Sequence, residues 1–173
     1  MISKKMETAI NEQINAELYS AYLYLAMSAW CENQNLKGFA NWLRVQYKEE
    51  TDHALKFHDY VLSRGGNIVL KKIDAPVMKW KNIIEIFEKV LTHEQHVTSL
   101  INNLVHLSET EKDYATHTML QWYVNEQVEE EANATDILQQ LKLFEGKGAS
   151  LFMMDRELKQ RVYVPLTPAT EQA

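Results

Sequence analysis

The sequence predicts an all-α fold: a four-helix bundle with one long crossover and a short fifth helix. Three observations carry this. Four long stretches repeat apolar residues at the three-and-four spacing of a helix face. The five glycines and three prolines cluster between those stretches. One connection is long enough to run the length of a bundle.

The first helix is expected over about 4–33 and the second over about 36–64, the latter stopped by Gly65 and Gly66. Residues 65–80 come next with Ile68, Val69, Leu70 and Pro76, an extended path. At about 3.3 Å per residue this link reaches roughly 50 Å, more than the roughly 42 Å of a 28-residue helix. It can therefore cross the bundle and leave the second and third helices parallel, the one-crossover topology. The third helix is expected over about 81–107. Ser108 or Thr110 is expected to cap the fourth, because Ser108-x-x-Glu111 and Thr110-x-x-Asp113 both read as capping boxes, and Gly146 ends it after Phe144. A short apolar helix over about 150–161 closes a domain spanning 1–161. The tail, 162–173, carries Pro165 and Pro168 and is expected to be loose.

Length and charge narrow the possible functions. A chain of 173 residues suits one domain with a full core. A net charge of -6 with scattered Lys and Arg argues against a nucleic-acid partner, and metal cations suit that charge better. A lone cysteine, Cys31, cannot form an intrachain disulfide and fits a reducing, cytoplasmic setting. The apolar run 18–30 comes after Lys4 and Lys5 as a secretory signal would, but Glu7, Glu12 and Glu17 precede it and tyrosines interrupt it, so it reads as helix core. No stretch reaches the roughly 18 apolar residues of a membrane span, and a soluble protein with no membrane partner is expected. Without a secretory route, the Asn133-Ala134-Thr135 sequon is idle.

The chemistry lies where acidic residues interrupt the apolar stripes. One stripe is Ile10, Ile14, Glu17, Ala21 and Tyr24, and a second is Leu43, Gln46, Glu50, His53 and Phe57. The third is Phe87, Leu91, Glu94, Val97 and Ile101; the fourth is Met119, Tyr123, Glu130, Ile137 and Leu141, with Glu126 and Gln127 at its edges. The helix midpoints fall near Leu18, Glu50, Glu94 and Gln127, so helices packed with level ends bring these polar positions into one layer. An unpaired buried charge costs several kcal/mol, and a core of this kind excludes carboxylates unless a cation compensates them. The donors are oxygen-rich with one imidazole and no thiolate, which favours a hard, redox-capable ion such as iron. Two ions fit better than one, because Glu50 and Glu130 can bridge a pair while four carboxylates around one ion leave excess negative charge.

These residues resemble the bacterial-type non-haem ferritins across nearly the whole chain. The resemblance rests on Asn15-Ala16-Glu17-Leu18 with Tyr24, Glu49-Glu50-Thr51-Asp52-His53, Glu94, and Asn125-Glu126-Gln127-Val128-Glu129-Glu130. It implies a ferritin-like bundle with a ferroxidase di-iron centre. One iron would be held by Glu17, Glu50 and His53, and the other by Glu50, Glu94 and Glu130, with Gln127 nearby. A third iron position would use Glu49, Glu126, Glu129 and Glu130, and Tyr24 would supply an electron. It further implies oxidation of Fe(II) by dioxygen or hydrogen peroxide, storage of the ferric mineral, and a homo-oligomeric shell of twenty-four subunits whose four-fold channel is lined by the fifth helix.

The chain departs from relatives of that family in places. Di-iron carboxylate proteins often carry a second Glu-x-x-His, where this chain has Gln127 and Glu130. Bacterioferritins use a methionine for haem where this chain has Asp52, so no haem is expected. His117 and Leu120 stand where animal ferritins have acidic residues lining the three-fold channel.

Simpler readings compete for single residues. Helix-edge glutamates such as Glu49, Glu126 and Glu129 are usually solvated. His93 and His96 flank Glu94 one residue short of a zinc-protease motif and read as surface residues. Trp30, Trp42, Trp80 and Trp122 read as packing or subunit contacts. For the whole chain, the alternatives are a non-enzymatic mineral-nucleating shell, a smaller DNA-protecting shell, which lacks the fifth helix and often has a basic arm, and a plain bundle. Every local signal agrees on a bundle while several core positions violate its polarity, which favours the metal-binding reading.

Overall fold

The computed structural model describes residues 1–166. It is all-helical: α1 Lys4–Asn33, α2 Lys37–Ser63, α3 Ile83–Thr110, α4 Tyr114–Leu143 and α5 Gly148–Leu158. Among the described residues there is no strand, and no helix is long and apolar enough to cross a membrane.

The core shows how the helices run. One apolar cluster joins Met27 and Cys31 late in α1, Phe39 and Leu43 early in α2, Ile86 and Phe87 early in α3, and Ile137 and Leu141 late in α4. The other joins Met6 and Ile10 early in α1, Phe57 and Val61 late in α2, Val97 and Ile101 late in α3, and Leu120 and Tyr123 early in α4. Only an α1 antiparallel to α2, an α2 parallel to α3, and an α4 antiparallel to α3 satisfy both groupings. The long link 65–80 therefore does cross the bundle. Each fully buried Phe, Leu, Ile or Met contributes about 1.5–3 kcal/mol, so the two clusters dominate stability. Between them lies the polar layer.

Local chemistry sets the ends. Ser3 and Asn82 accept from the amides of Met6 and Glu85 and start α1 and α3. α4 starts at neither Ser108 nor Thr110. Ser108 is buried inside α3 with its hydroxyl donating to the Val105 carbonyl, and Thr110 is the last residue of α3. Asp113 is the cap, accepting from Thr116 N and Thr116 Oγ1 at 3.1 and 2.7 Å. It wins because Arg64 Nη2 also reaches its two oxygens at 3.1 and 3.2 Å, tying the α3–α4 turn to the end of α2. The chain reverses through Lys112 at φ 54°, and Asp113 N donates to Ser108 O in a Schellman closure.

Gly38 lies inside α2 rather than at a break, and its reason is tertiary. A Cβ there would stand 1.5 Å from the Asp155 carbonyl oxygen of α5. The Asp155 carboxylate accepts from Gly38 N and Phe39 N at 2.7 and 3.2 Å, capping an α2 whose own N-cap residue, Leu36, has no capping side chain. α5 starts at Gly148 and ends at Leu158, so residues 159–161, expected as its last turn, lie beyond the helix.

The chain after α5 lies against α2 where it is described. Asn41 Nδ2 donates to the Leu158 and Arg161 carbonyls at 3.2 and 2.9 Å, and Tyr163 Oη donates to Asp52 Oδ2 at 2.5 Å. The remainder of that tail, 167–173, lies outside the described residues.

Candidate metal centre

Each of the four long helices delivers its acidic residue to the layer between the two apolar clusters. Glu17, Glu50, His53, Glu94, Gln127 and Glu130 are all buried, none more than 4% exposed. The apolar residues one and two turns away on each stripe leave these side chains nowhere to go but inward.

Glu17 from α1 and Glu50 and His53 from α2 form the tightest group, each offering a ligand atom within 4.8 Å of the others. His53 Nδ1 lies 3.6 Å from Glu50 Oε2. This is not an ion pair at neutral pH, because burial pushes the His53 imidazole down to about 4 and leaves it neutral. A neutral imidazole among carboxyls is the form that ligates a metal. Tyr123 Oη donates to the His53 carbonyl at 2.8 Å, and the Trp122 ring stands edge-on to the imidazole at 5.3 Å, which fix its position.

The carboxyls repel one another. Burial raises Glu17 to about 7, and the Glu94 charge adds to the rise. Burial first, then Glu94, Glu17 and Glu130, drives Glu50 well above the carboxylate range. Burial and the Glu94 charge do the same to Glu130. Without a cation the layer holds protons in its place.

Neutral donors orient the carboxyls. Gln13 Nε2 donates to Glu17 Oε1 at 2.8 Å and Gln46 Nε2 to Glu130 Oε2 at 2.8 Å. Gln127 Nε2 donates to both the Glu94 carbonyl and Glu94 Oε2 at 3.2 Å, and the Tyr24 hydroxyl donates to Glu94 Oε1. Glu17 Oε2 is left buried with no partner. An orphaned carboxylate oxygen facing a carboxyl and an imidazole is what an ion-binding layer would leave open.

The outer glutamates stand apart from this group. Glu49 and Glu126 are half-buried and Glu129 is exposed. Their charges reach one another and Glu130, since Glu129 acts on Glu49 and Glu126, and Glu49 acts on Glu126 and Glu130. They do not gather to ligand distance: Glu49 Oε2 accepts from Arg161 Nη2 at 2.7 Å instead. Glu126 Oε1 lies 4.0 Å from His53 Nε2.

One expected surface position is corrected. His93 is half-buried: its Nε2 is 2.7 Å from Ser20 Oγ, its ring lies edge-on to Tyr24 at 5.9 Å, and burial lowers it to about 4. The α1–α3 contact covers it, whereas His96 is exposed. Leu120 is fully buried in the core. Of the tryptophans, Trp42 packs on Phe87 at 5.4 Å and Trp30 on Trp80 at 6.5 Å, in keeping with packing.

The stripes alone did not single out Gln13 and gave Gln46 no role. Gln13 precedes Glu17, the carboxyl it meets, by one helical turn, and that i, i+4 spacing was the available signal; Gln46 meets Glu130 on α4, which no spacing along α2 marks. Asn41, Arg161 and Tyr163, which tie the chain after α5 to α2, were also missed, and no periodic signal marks them.

Comparison with known proteins agrees with the geometry. The ferritin-like domain family matches residues 7–144. The bacterial non-heme ferritin of Bacteroides fragilis is 44% identical over 161 residues, covering 93% of this chain and 100% of that protein. That of Campylobacter jejuni is 41% identical over 159 residues, covering 92% and 95%. A solved structure of an Archaeoglobus fulgidus ferritin engineered into a closed form superposes with a TM-score of 0.93 at 48% identity, covering 95% of this chain and 100% of that one. The open-pore ferritin of the same archaeon superposes at 0.92 and 48% identity, covering 94% and 99%.

Proposed function

The chain belongs to the ferritin family, and from that premise we propose that it is an iron-storage ferroxidase, oxidising Fe(II) at a di-iron centre and depositing the ferric product inside a twenty-four-subunit shell. The observation that carries this is the buried Glu17, Glu50 and His53 group, with an unpartnered Glu17 oxygen and a neutral imidazole aimed at one point. A structural bundle has no use for such a layer.

Fe(II) is the substrate. One ion takes Glu17, Glu50 and His53; the second takes Glu50, Glu94 and Glu130, with Gln127 orienting Glu94. Loading displaces the protons held by the crowded carboxyls. Each Fe(II) gives one electron. With dioxygen as oxidant, two electrons and two protons yield hydrogen peroxide and two Fe(III); with hydrogen peroxide, two electrons and two protons yield two waters. Adjacent donors let the oxidant take both electrons together and avoid free superoxide. Anionic ligands favour Fe(III) over Fe(II) and drive the step. Tyr24 donates a hydrogen bond to Glu94 and steadies that ligand of the second ion.

Rapid mixing of Fe(II) with air-saturated protein tests this. Glu17→Ala, Glu50→Ala and His53→Ala should each lose the fast oxidation phase; wild-type rates in all three variants would overturn the assignment.

A further inference from the structure

We propose that Arg161 is a built-in cation at the outer carboxylates Glu49, Glu126, Glu129 and Glu130, a regulatory residue that limits each subunit to paired iron unless the strap carrying it is displaced. The inference rests on the di-iron reading above and concerns the iron position beside the pair.

The strap is the chain after α5. It runs along one face of α2, meeting Asn41, Trp42, Lys48, Glu49 and Asp52, which recur at helical spacing. Asn41 Nδ2 holds the Arg161 carbonyl at 2.9 Å, and the guanidinium stacks 4.7 Å over the Trp42 ring. Beyond Arg161, the Lys48 ammonium lies 5.0 Å over the Tyr163 ring, and Asp52 Oδ2 accepts from Tyr163 Oη and from Leu166 N at 2.5 and 3.3 Å. Arg161 is thus aimed from both sides of its position along the chain.

Its target is an acidic group. Nη2 donates to Glu49 Oε2 at 2.7 Å, in a pair whose side chains are 23% and 24% exposed. Its charge also reaches Glu130, the carboxylate proposed to bridge toward the pair, and lowers it against the push of burial and of Glu94. A guanidinium cannot be deprotonated at working pH, so its charge is permanent. An ion entering among these carboxylates must therefore break the Arg161–Glu49 pair or bind beside a fixed positive charge. Lys56, whose charge acts on Glu126, stands on the other flank of the group. Glu49 remains with Arg161 rather than joining Glu17, Glu50 and His53, which matches an occupied position.

The test compares the full-length assembled wild type with Arg161→Gln and Arg161→Lys, by anaerobic Fe(II) titration and then rapid oxygen mixing. Two Fe(II) per subunit are expected in the wild type and three in R161Q, the added ion binding at least about tenfold more tightly than any third ion in the wild type. R161K, which keeps the charge, should stay at two, and the double variant R161Q/E49Q should lose the gain. The two-iron oxidation burst should be unchanged in R161Q. Equal stoichiometry and affinity in wild type and R161Q, or a tight third ion already in the wild type, would overturn the proposal while leaving the burst, and the di-iron reading, intact. Absence of the burst in every protein would instead overturn the di-iron reading and this proposal with it. Should R161Q fail to assemble, Asn41→Ala loosens the strap without touching the charge; a partial gain supports the role and no gain overturns it.

Discussion

The carboxyl of Glu17 on α1 and that of Glu50 on α2 each bring an oxygen within 4.8 Å of the other in a layer where the two residues are 1% and 2% exposed. Burial raises both carboxyls, so the metal-free protein holds acid where a loaded one would hold cations.

The raised Glu17 carboxyl makes stability depend on pH. Glu17 is raised from 4.5 to about 7 on folding, so between those values the folded chain keeps a proton that the unfolded chain has lost. Its stabilising contribution is complete below about 4.5 and disappears as pH rises through about 7. His53 works the other way: lowered from 6.5 to about 4, it contributes above 6.5 and loses that contribution as pH falls toward 4. Metal-free Glu17→Gln should be more stable than wild type at pH 8, on the order of 3 kcal/mol, and no more stable at pH 4.5. Denaturation midpoints at the two pH values check this; a gain equal at both would contradict the raised Glu17 carboxyl.

Loading should release these protons. Anaerobic Fe(II) binding at pH 6.5 should liberate more protons per ion than at pH 8.5, and affinity should fall as pH is lowered through this range. A pH-indicator titration reads both, with Glu17→Gln releasing fewer protons.

Burial raises the Glu94 carboxyl, and the Tyr24 hydroxyl donating to it offsets part of that rise, so Tyr24 matters before any electron transfer. Tyr24→Phe removes that donor, and a hydrogen bond to a charged group is worth about 1.5–3 kcal/mol. The second Fe(II) should bind about tenfold more weakly or worse, while the first, at Glu17, Glu50 and His53, is unaffected. Stepwise anaerobic titration separates the two ions.

Gly38→Ala should detach α5. The added Cβ meets the Asp155 carbonyl oxygen, and the displaced carboxylate no longer caps α2. Loss of the cap alone costs about 1 kcal/mol, which Asp155→Ala isolates. Amide hydrogen exchange should rise across 148–166 in G38A far more than in D155A; equal protection in both would contradict this packing of α5 on α2.

How much of this was legible in the sequence depends on what each residue answers to. Glu17, Glu50, His53, Glu94 and Glu130 were readable because helical period decides which way they face and helix midpoints decide their height. The parallel α2 and α3 were readable because the length of 65–80 allows a crossing that a short turn would forbid. What stayed hidden answers to partners far along the chain. Asp113 outcompetes Ser108 and Thr110 as a cap because Arg64 reaches it, His93 is covered because Ser20 and Tyr24 of α1 stand against it, and Glu49 is held by Arg161, 112 residues away. Periodicity places a residue on a helix face; it does not say what lies along the edge of that face.

The most direct test of paired iron is an anaerobic Fe(II) titration of the intact metal-free protein, then a single exposure to oxygen. Saturation at two tightly bound ions per subunit, both oxidised in one burst, is the predicted result. Weak uptake without an endpoint, and slow oxidation with no burst, would contradict it.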